Sequence, residues 1–83
     1  MKAELIQIIA YYGEKHQKNK AIEELLELAS AIYDNDKENV IEEIADVLIM
    51  IEQMQLIFGI TNDDIQKVKE FKIKRTLERM KNI

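Results

Sequence analysis

Apolar residues recur along this chain at three- and four-residue intervals, and nowhere alternate with polar ones over a useful length. That periodicity predicts helices and no strand. A first helix is expected from Lys2 to Tyr12, with Leu5, Ile8, Ile9 and Tyr12 on one stripe and Gly13 as its stop. The polar stretch Glu14–Asn19 reads as a link. A second helix should then begin at Gln17 or Lys20 and run to Tyr33, its core stripe being Ile22, Leu25, Leu26, Ala29, Ile32 and Tyr33. Asp34-Asn35-Asp36 carries turn and N-cap chemistry. A third helix follows from Lys37 to Phe58, closed by Gly59, and Thr61-Asn62-Asp63-Asp64 opens a fourth to about Asn82.

The third helix differs from the others. Val40, Ile44, Val47, Leu48, Ile51, Met54 and Phe58 make one stripe, while Ala45, Ile49 and Leu56 make a second strip well round the helix. Glu43, Asp46, Met50 and Gln53 lie on the arc between them. A helix apolar on two sides packs against its own chain and something else, most economically a second subunit. The expected fold is therefore all-α: one domain spanning residues 1–83, an antiparallel four-helix bundle, assembled as a homodimer or homotetramer through the long third helix.

Composition narrows the function. A chain of 83 residues buries only about 60–65% of its unfolded surface, which again favours assembly. The absence of cysteine excludes disulfides, iron–sulfur clusters and zinc-thiolate sites. The longest apolar run, Val47 to Ile51, is far short of the ~20 residues of a membrane span, and the N-terminus lacks a secretory pattern. A cytoplasmic protein without membrane contact is expected. The net charge of −4 is unevenly spread. From Ala21 to Gln66 the only basic residue is Lys37; from Lys67 onward Lys67, Lys69, Lys72, Lys74, Arg75, Arg79 and Lys81 reverse the balance. Nucleic acid wants a basic face throughout and is not the expected partner. Cations beside a polyphosphate suit this division.

The chemistry lies in two carboxylate pairs, Glu24/Glu27 and Glu43/Asp46. At about 100° per residue, each pair projects from one helix face. If the chain folds back about Asn35, Glu24 comes level with Asp46 and Glu27 with Glu43, a rectangle of acids across the interface. Helical glutamates are ordinarily just solvated. Here the positions one turn onward are Leu28, Ala31, Val47 and Met50, none of them basic, and like charges stack at Glu23/Glu27, Glu38/Glu42 and Glu42/Asp46. Such a cluster calls for cations. All-oxygen ligands favour magnesium, with manganese possible, whereas a di-iron bundle would want Glu-x-x-His pairs and the single His16 lies outside both motifs.

These residues carry a resemblance. Lys20-Ala21-Ile22-Glu23-Glu24-Leu25-Leu26-Glu27-Leu28, then Glu42-Glu43-Ile44-Ala45-Asp46-Val47-Leu48, resembles the E-x-x-E…E-x-x-D signature of MazG-like nucleoside triphosphate pyrophosphohydrolases, the all-α NTP pyrophosphatases. Tyr12-Gly13…Gln17 is similar to the stretch before that signature, and Lys72-Ile73-Lys74-Arg75…Arg79 to the K-x-x-R…R segment of the last helix. The resemblance implies a helical, oligomeric enzyme that splits nucleoside triphosphates into monophosphate and pyrophosphate. It implies Glu24, Glu27, Glu43 and Asp46 as magnesium ligands, with Glu24 or Glu27 also handling the attacking water. Lys72, Arg75 and Arg79 form a row suited to phosphate, unless they are merely solvated or paired with Glu70 and Glu78; Lys20 could reach a phosphate or simply offset the acids. His16 and Gln17 could edge a base pocket. The competing reading is a non-catalytic helical oligomerisation module with an incidental acidic cluster.

Overall fold

In the computed structural model, which describes residues 1–82, the chain is all-α with four helices: α1 (Lys2–Tyr12), α2 (Glu14–Tyr33), α3 (Lys37–Phe58) and α4 (Asn62–Lys81). α1, α3 and α4 follow the sequence pattern, and α2 ends where expected. The link expected at Glu14–Asn19 does not exist, because α2 already begins at Glu14. One residue separates α1 from α2: Gly13, at φ 92°, donates its N–H to Ile9 O (2.8 Å) and accepts from Gln17 N (3.1 Å). That φ is open to glycine and strained for other residues, so the break costs a single position.

The turn from α2 to α3 uses Asn35 in the left-handed region (φ 56°), a conformation asparagine tolerates better than most residues. Asp36 then caps α3 by accepting from Asn39 N at 3.3 Å. Gly59 (φ 68°) ends α3. Thr61 and Asp64 form a reciprocal capping box at the start of α4, with bonds of 3.0 and 2.9 Å. Those bonds hold the Asp64 carboxyl below its usual range.

Packing is confined to α1, α2 and α3. The α2–α3 hairpin has a narrow seam. On α2 it takes Gln17, Ala21, Glu24, Leu28 and Ala31; on α3 it takes Val40, Glu43, Val47, Met50 and Met54, with Gln53 buried beside them. The three-four spacing of both rows is that of helices crossing at a shallow angle. The stripes expected in the core lie largely outside it. Leu25 is 53% exposed and Leu48 55%, and Ile22, Leu26, Ile32, Tyr33, Ile44, Ile51 and Phe58 are exposed too. The physical reason is side-chain size. Alanines at 21 and 31 let the helices close along the small-residue line, which leaves the bulky aliphatics on a neighbouring face.

Only Ala21, Ala31, Val47 and Met50 are buried apolar residues among those described. The expected four-helix bundle is thus present in one chain only as far as α1–α3. The hydrogen bond Gln55 Nε2→Asn62 Oδ1 (2.8 Å) ties the first residue of α4 to α3, the chain turns through 114° between them, and beyond that residue α4 packs against none of the other helices. The radius of gyration, 15.7 Å, exceeds the roughly 12 Å of a compact chain this long. Among the described residues, no single helix is long and apolar enough to cross a membrane.

Candidate metal centre and cleft

Midway along the hairpin seam, Glu24 and Glu27 of α2 meet Glu43 of α3, with one carboxylate oxygen from each lying within 4.8 Å of the others. Glu24 is buried (7% exposed), Glu43 half-buried and Glu27 exposed, so the cluster runs from the seam outward. Asp46, the fourth corner of the expected rectangle, falls outside that group and is exposed. Its side chain is one methylene shorter than glutamate. Its charge still acts on the cluster: Glu43 is raised above the ordinary glutamate range by desolvation first, then by the charges of Glu27, Asp46 and Glu24.

Glu24 Oε2 and Glu43 Oε2 are buried without a hydrogen-bond partner. Two buried acceptors without partners, on carboxylates of one cluster, call for a proton or a cation. Lys20, one turn before Glu24, supplies part of the positive charge: its Nζ stands 3.2 Å from Glu24 Oε1 and 3.6 Å from Glu23 Oε2, and its own pKa is raised chiefly by the bond to Glu24. The orphaned oxygens face no such partner. A hard divalent cation fits this set, which is all oxygen with neither histidine nor cysteine.

The strain in the cluster has a measurable sign. Because Glu43 binds its proton more tightly when folded, the native state loses stability as pH climbs from the ordinary glutamate value of 4.5 to the raised one. Above that the loss is complete. With a chelator present, Glu43→Gln is therefore expected to melt higher than the parent at neutral pH, the two curves converging towards acid. Parallel melting curves across that range would show that Glu43 is not strained.

Beside the acids opens a cleft of ≈ 570 Å³ lined by Tyr12, His16, Gln17, Asn19, Lys20, Glu23 and Met50. Its wall is tied together by amides. Gln53 Nε2 points to Met50 Sδ (3.6 Å), Gln17 Nε2 donates to Gln53 Oε1 (2.7 Å), and His16 Nδ1 lies 2.8 Å from Gln17 Oε1. A thioether can only accept, which fixes the amide orientations and makes His16 Nδ1 the donor. The His16 ring stacks on Tyr12, with centroids 5.0 Å apart and planes 16° from parallel. Gln17 is 3% exposed and Gln53 1%, so Gln17 forms wall, and His16 and Tyr12 present the rings.

The sequence pattern did not single out Gln53. An amide pair across a seam can be found only once the register is known. The expected phosphate row is placed elsewhere: Lys72, Arg75 and Arg79 lie exposed on α4, in contact with none of α1–α3, and the Arg75 guanidinium sits 5.6 Å from the Phe71 ring.

Fold and site together define an all-α protein whose central helical hairpin carries a carboxylate cluster of the kind that hard cations occupy. The family model of the MazG nucleotide pyrophosphohydrolase domain matches residues 13–82, which include the whole hairpin and α4. The chain belongs to that family. No curated protein and no solved structure matched it.

Proposed function

We propose that this chain hydrolyses nucleoside triphosphates, (d)NTPs, to monophosphate and pyrophosphate, with magnesium, or manganese in its place, held by Glu24, Glu27, Glu43 and Asp46. The observation that carries the reading is the pair of buried, partnerless oxygens on Glu24 and Glu43, in a chain of this family. The bound cation supplies charge neutralisation at phosphate oxygens and makes a coordinated water more acidic. Glu27, at the exposed edge of the cluster, orients the attacking water and takes its proton, with Glu24 behind it as the buried anchor. Lys20 is free to turn to a phosphate oxygen once its carboxylate partner is engaged by a cation. Tyr12 and His16 offer stacked rings at the mouth of the cleft as a base platform, which Gln17 fixes from behind.

Two or four copies associate through the aliphatic face of the hairpin, completing an antiparallel bundle between chains. The exposed Leu25, Ile32, Ile44 and Leu48 of that face gain from being covered. The role that fits such an enzyme is removal of excess or unwanted nucleotides from the cytoplasmic pool. The alternative, a helical assembly module without chemistry, draws on the same exposed face.

Pyrophosphate release from a panel of nucleoside triphosphates, with and without magnesium, separates the two. Metal-dependent release from at least one nucleotide is expected, and its absence across the panel would leave the assembly module standing. Magnesium should also raise the melting temperature of the parent, as any ligand of the folded state does, and do little for Glu43→Gln.

A further inference from the structure

We propose that Lys20 is a residue with two stations. It serves the acid cluster as a counter-ion until a divalent cation takes Glu24, and then swings into the cleft as a phosphate ligand. The triphosphate end of a substrate is therefore gripped only after the metal has bound. This rests on the hydrolase reading and gives its site an order of binding.

The first support is where the ammonium stands. Among the described residues Lys20 is the only basic side chain paired with the cluster, its Nζ 3.2 Å from Glu24 Oε1. The next basic residue along the chain, Lys37, opens α3 and makes no ion pair with the acids among the described residues. Glu24 is the buried member of the cluster, and its Oε2 has no partner. A divalent cation seated there would share one carboxylate with the ammonium. Two positive charges on a single buried carboxylate repel at short range, and the mobile one gives way.

The second support is a place for it to go. Lys20 bridges two acids, and its other partner is Glu23 Oε2 at 3.6 Å. Glu23 lines the cleft together with Lys20 itself, Tyr12, His16 and Gln17, whereas Glu24, Glu27 and Glu43 do not. A turn away from Glu24 is thus a turn from the seam to the cleft, with Glu23 as the second anchor. The lysine side chain is 46% exposed, so packing does not hold it in place. Lysine also suits the task, being a compact charge on a flexible stem that needs none of the fixed fork geometry of arginine.

Charge then sets the order. Without the cation, the edge between cluster and cleft sets Glu23, Glu24 and Glu27 against one committed lysine, and a phosphate chain meets net negative charge. With the cation seated, the same edge gains a dication and a free ammonium, which together attract polyanions. The released lysine fits a phosphate oxygen as a point charge.

The reactivity of Lys20 towards an amine-acylating reagent, read by peptide mass spectrometry, reports its partner without catalysis. Lys69 and Lys74 are exposed, make no ion pair among the described residues, and serve as references. In chelator Lys20 should react more slowly than both. Magnesium alone should speed it about fivefold relative to them, the upper end for losing a half-exposed ion pair. Inorganic tripolyphosphate, with magnesium in excess over it, should slow it again. In Glu24→Gln, Lys20 should already be fast in chelator and gain nothing from magnesium.

If magnesium raises the melting temperature and Lys20 stays slow, the exchange is overturned and the metal site stands. If magnesium changes neither melting nor reactivity, the hydrolase reading falls together with the exchange. A Lys20 that remains slow in Glu24→Gln, or fast under tripolyphosphate, would equally refute the two stations.

Discussion

Glu27→Gln should lower kcat at least about a hundredfold and change the affinity for a non-hydrolysable triphosphate only a few-fold. Removing a positioned acid–base group costs about 10²–10⁴ in rate. This carboxylate sits at the exposed edge of the cluster, where the reacting phosphate must approach, while Glu24 and Glu43 lie deeper in the seam. Glutamine keeps the size and one acceptor oxygen but cannot take a proton. An effect on kcat with KM nearly constant marks an interaction made in the transition state. Because the side chain is exposed, circular dichroism and melting should remain those of a folded protein. Steady-state kinetics and calorimetry with the analogue measure both quantities. A variant within tenfold of the parent in kcat would move the proton acceptor elsewhere, Glu24 being the next candidate.

Leu48→Asp should dissociate the assembly. On a monomer a leucine that is 55% exposed would tolerate the change, since surface substitutions usually stay within about 0.5 kcal/mol. Buried against a second subunit, the carboxylate would be stranded in an apolar contact at a cost of about 2–4 kcal/mol, weakening association roughly 30- to 1,000-fold. The case for burial is the poverty of the intrachain core, with Ala21, Ala31, Val47 and Met50 as its buried apolar members. Sedimentation at micromolar concentration decides the matter. If the parent itself runs as a stable monomer, or Leu48→Asp keeps the parent's association, the aliphatic face is not the interface.

Sequence periodicity revealed the helices because local signals end them: Gly13, the Asp34–Asp36 turn, Gly59 and the Thr61/Asp64 box. Glu14–Asn19 is polar enough to suggest a link, but polarity alone does not break a helix, and Gln17 within it faces the seam. The meeting of Glu24, Glu27 and Glu43 was legible because a short turn after a regular helix fixes which residues come level. Asp46 was not resolved at that scale, since helix register says nothing of how far a shorter side chain reaches.

The core departs from the hydrophobic stripes for a more general reason. Hydrophobicity marks Leu25 and Leu48 as residues that gain from burial, but the alanines of the seam bring the helices together along another line and leave both exposed. The pattern equally marks α4 as a helix without saying what it packs against.

The buried amide pair Gln17–Gln53 has a consequence for how the hairpin is aligned. Along the rest of the seam, the acids apart, small and aliphatic residues recur at three-four spacing, and such a surface is nearly as content after one helix slides by two turns past the other. The amides are not: a slide would strand four polar groups of an interior position in hydrocarbon, at about 1–3 kcal/mol for each unpaired group. They act as a locating pin. Replacing both with leucine would be expected to strengthen adhesion between the helices while loosening their alignment, as buried polar pairs do where they fix register. The acids would suffer first, since a slip of two turns, near 11 Å, carries Glu43 away from Glu24 and Glu27 altogether. A hairpin that melts higher and assembles no carboxylate cluster is what the chain avoids by keeping two glutamines where hydrophobic residues would pack better.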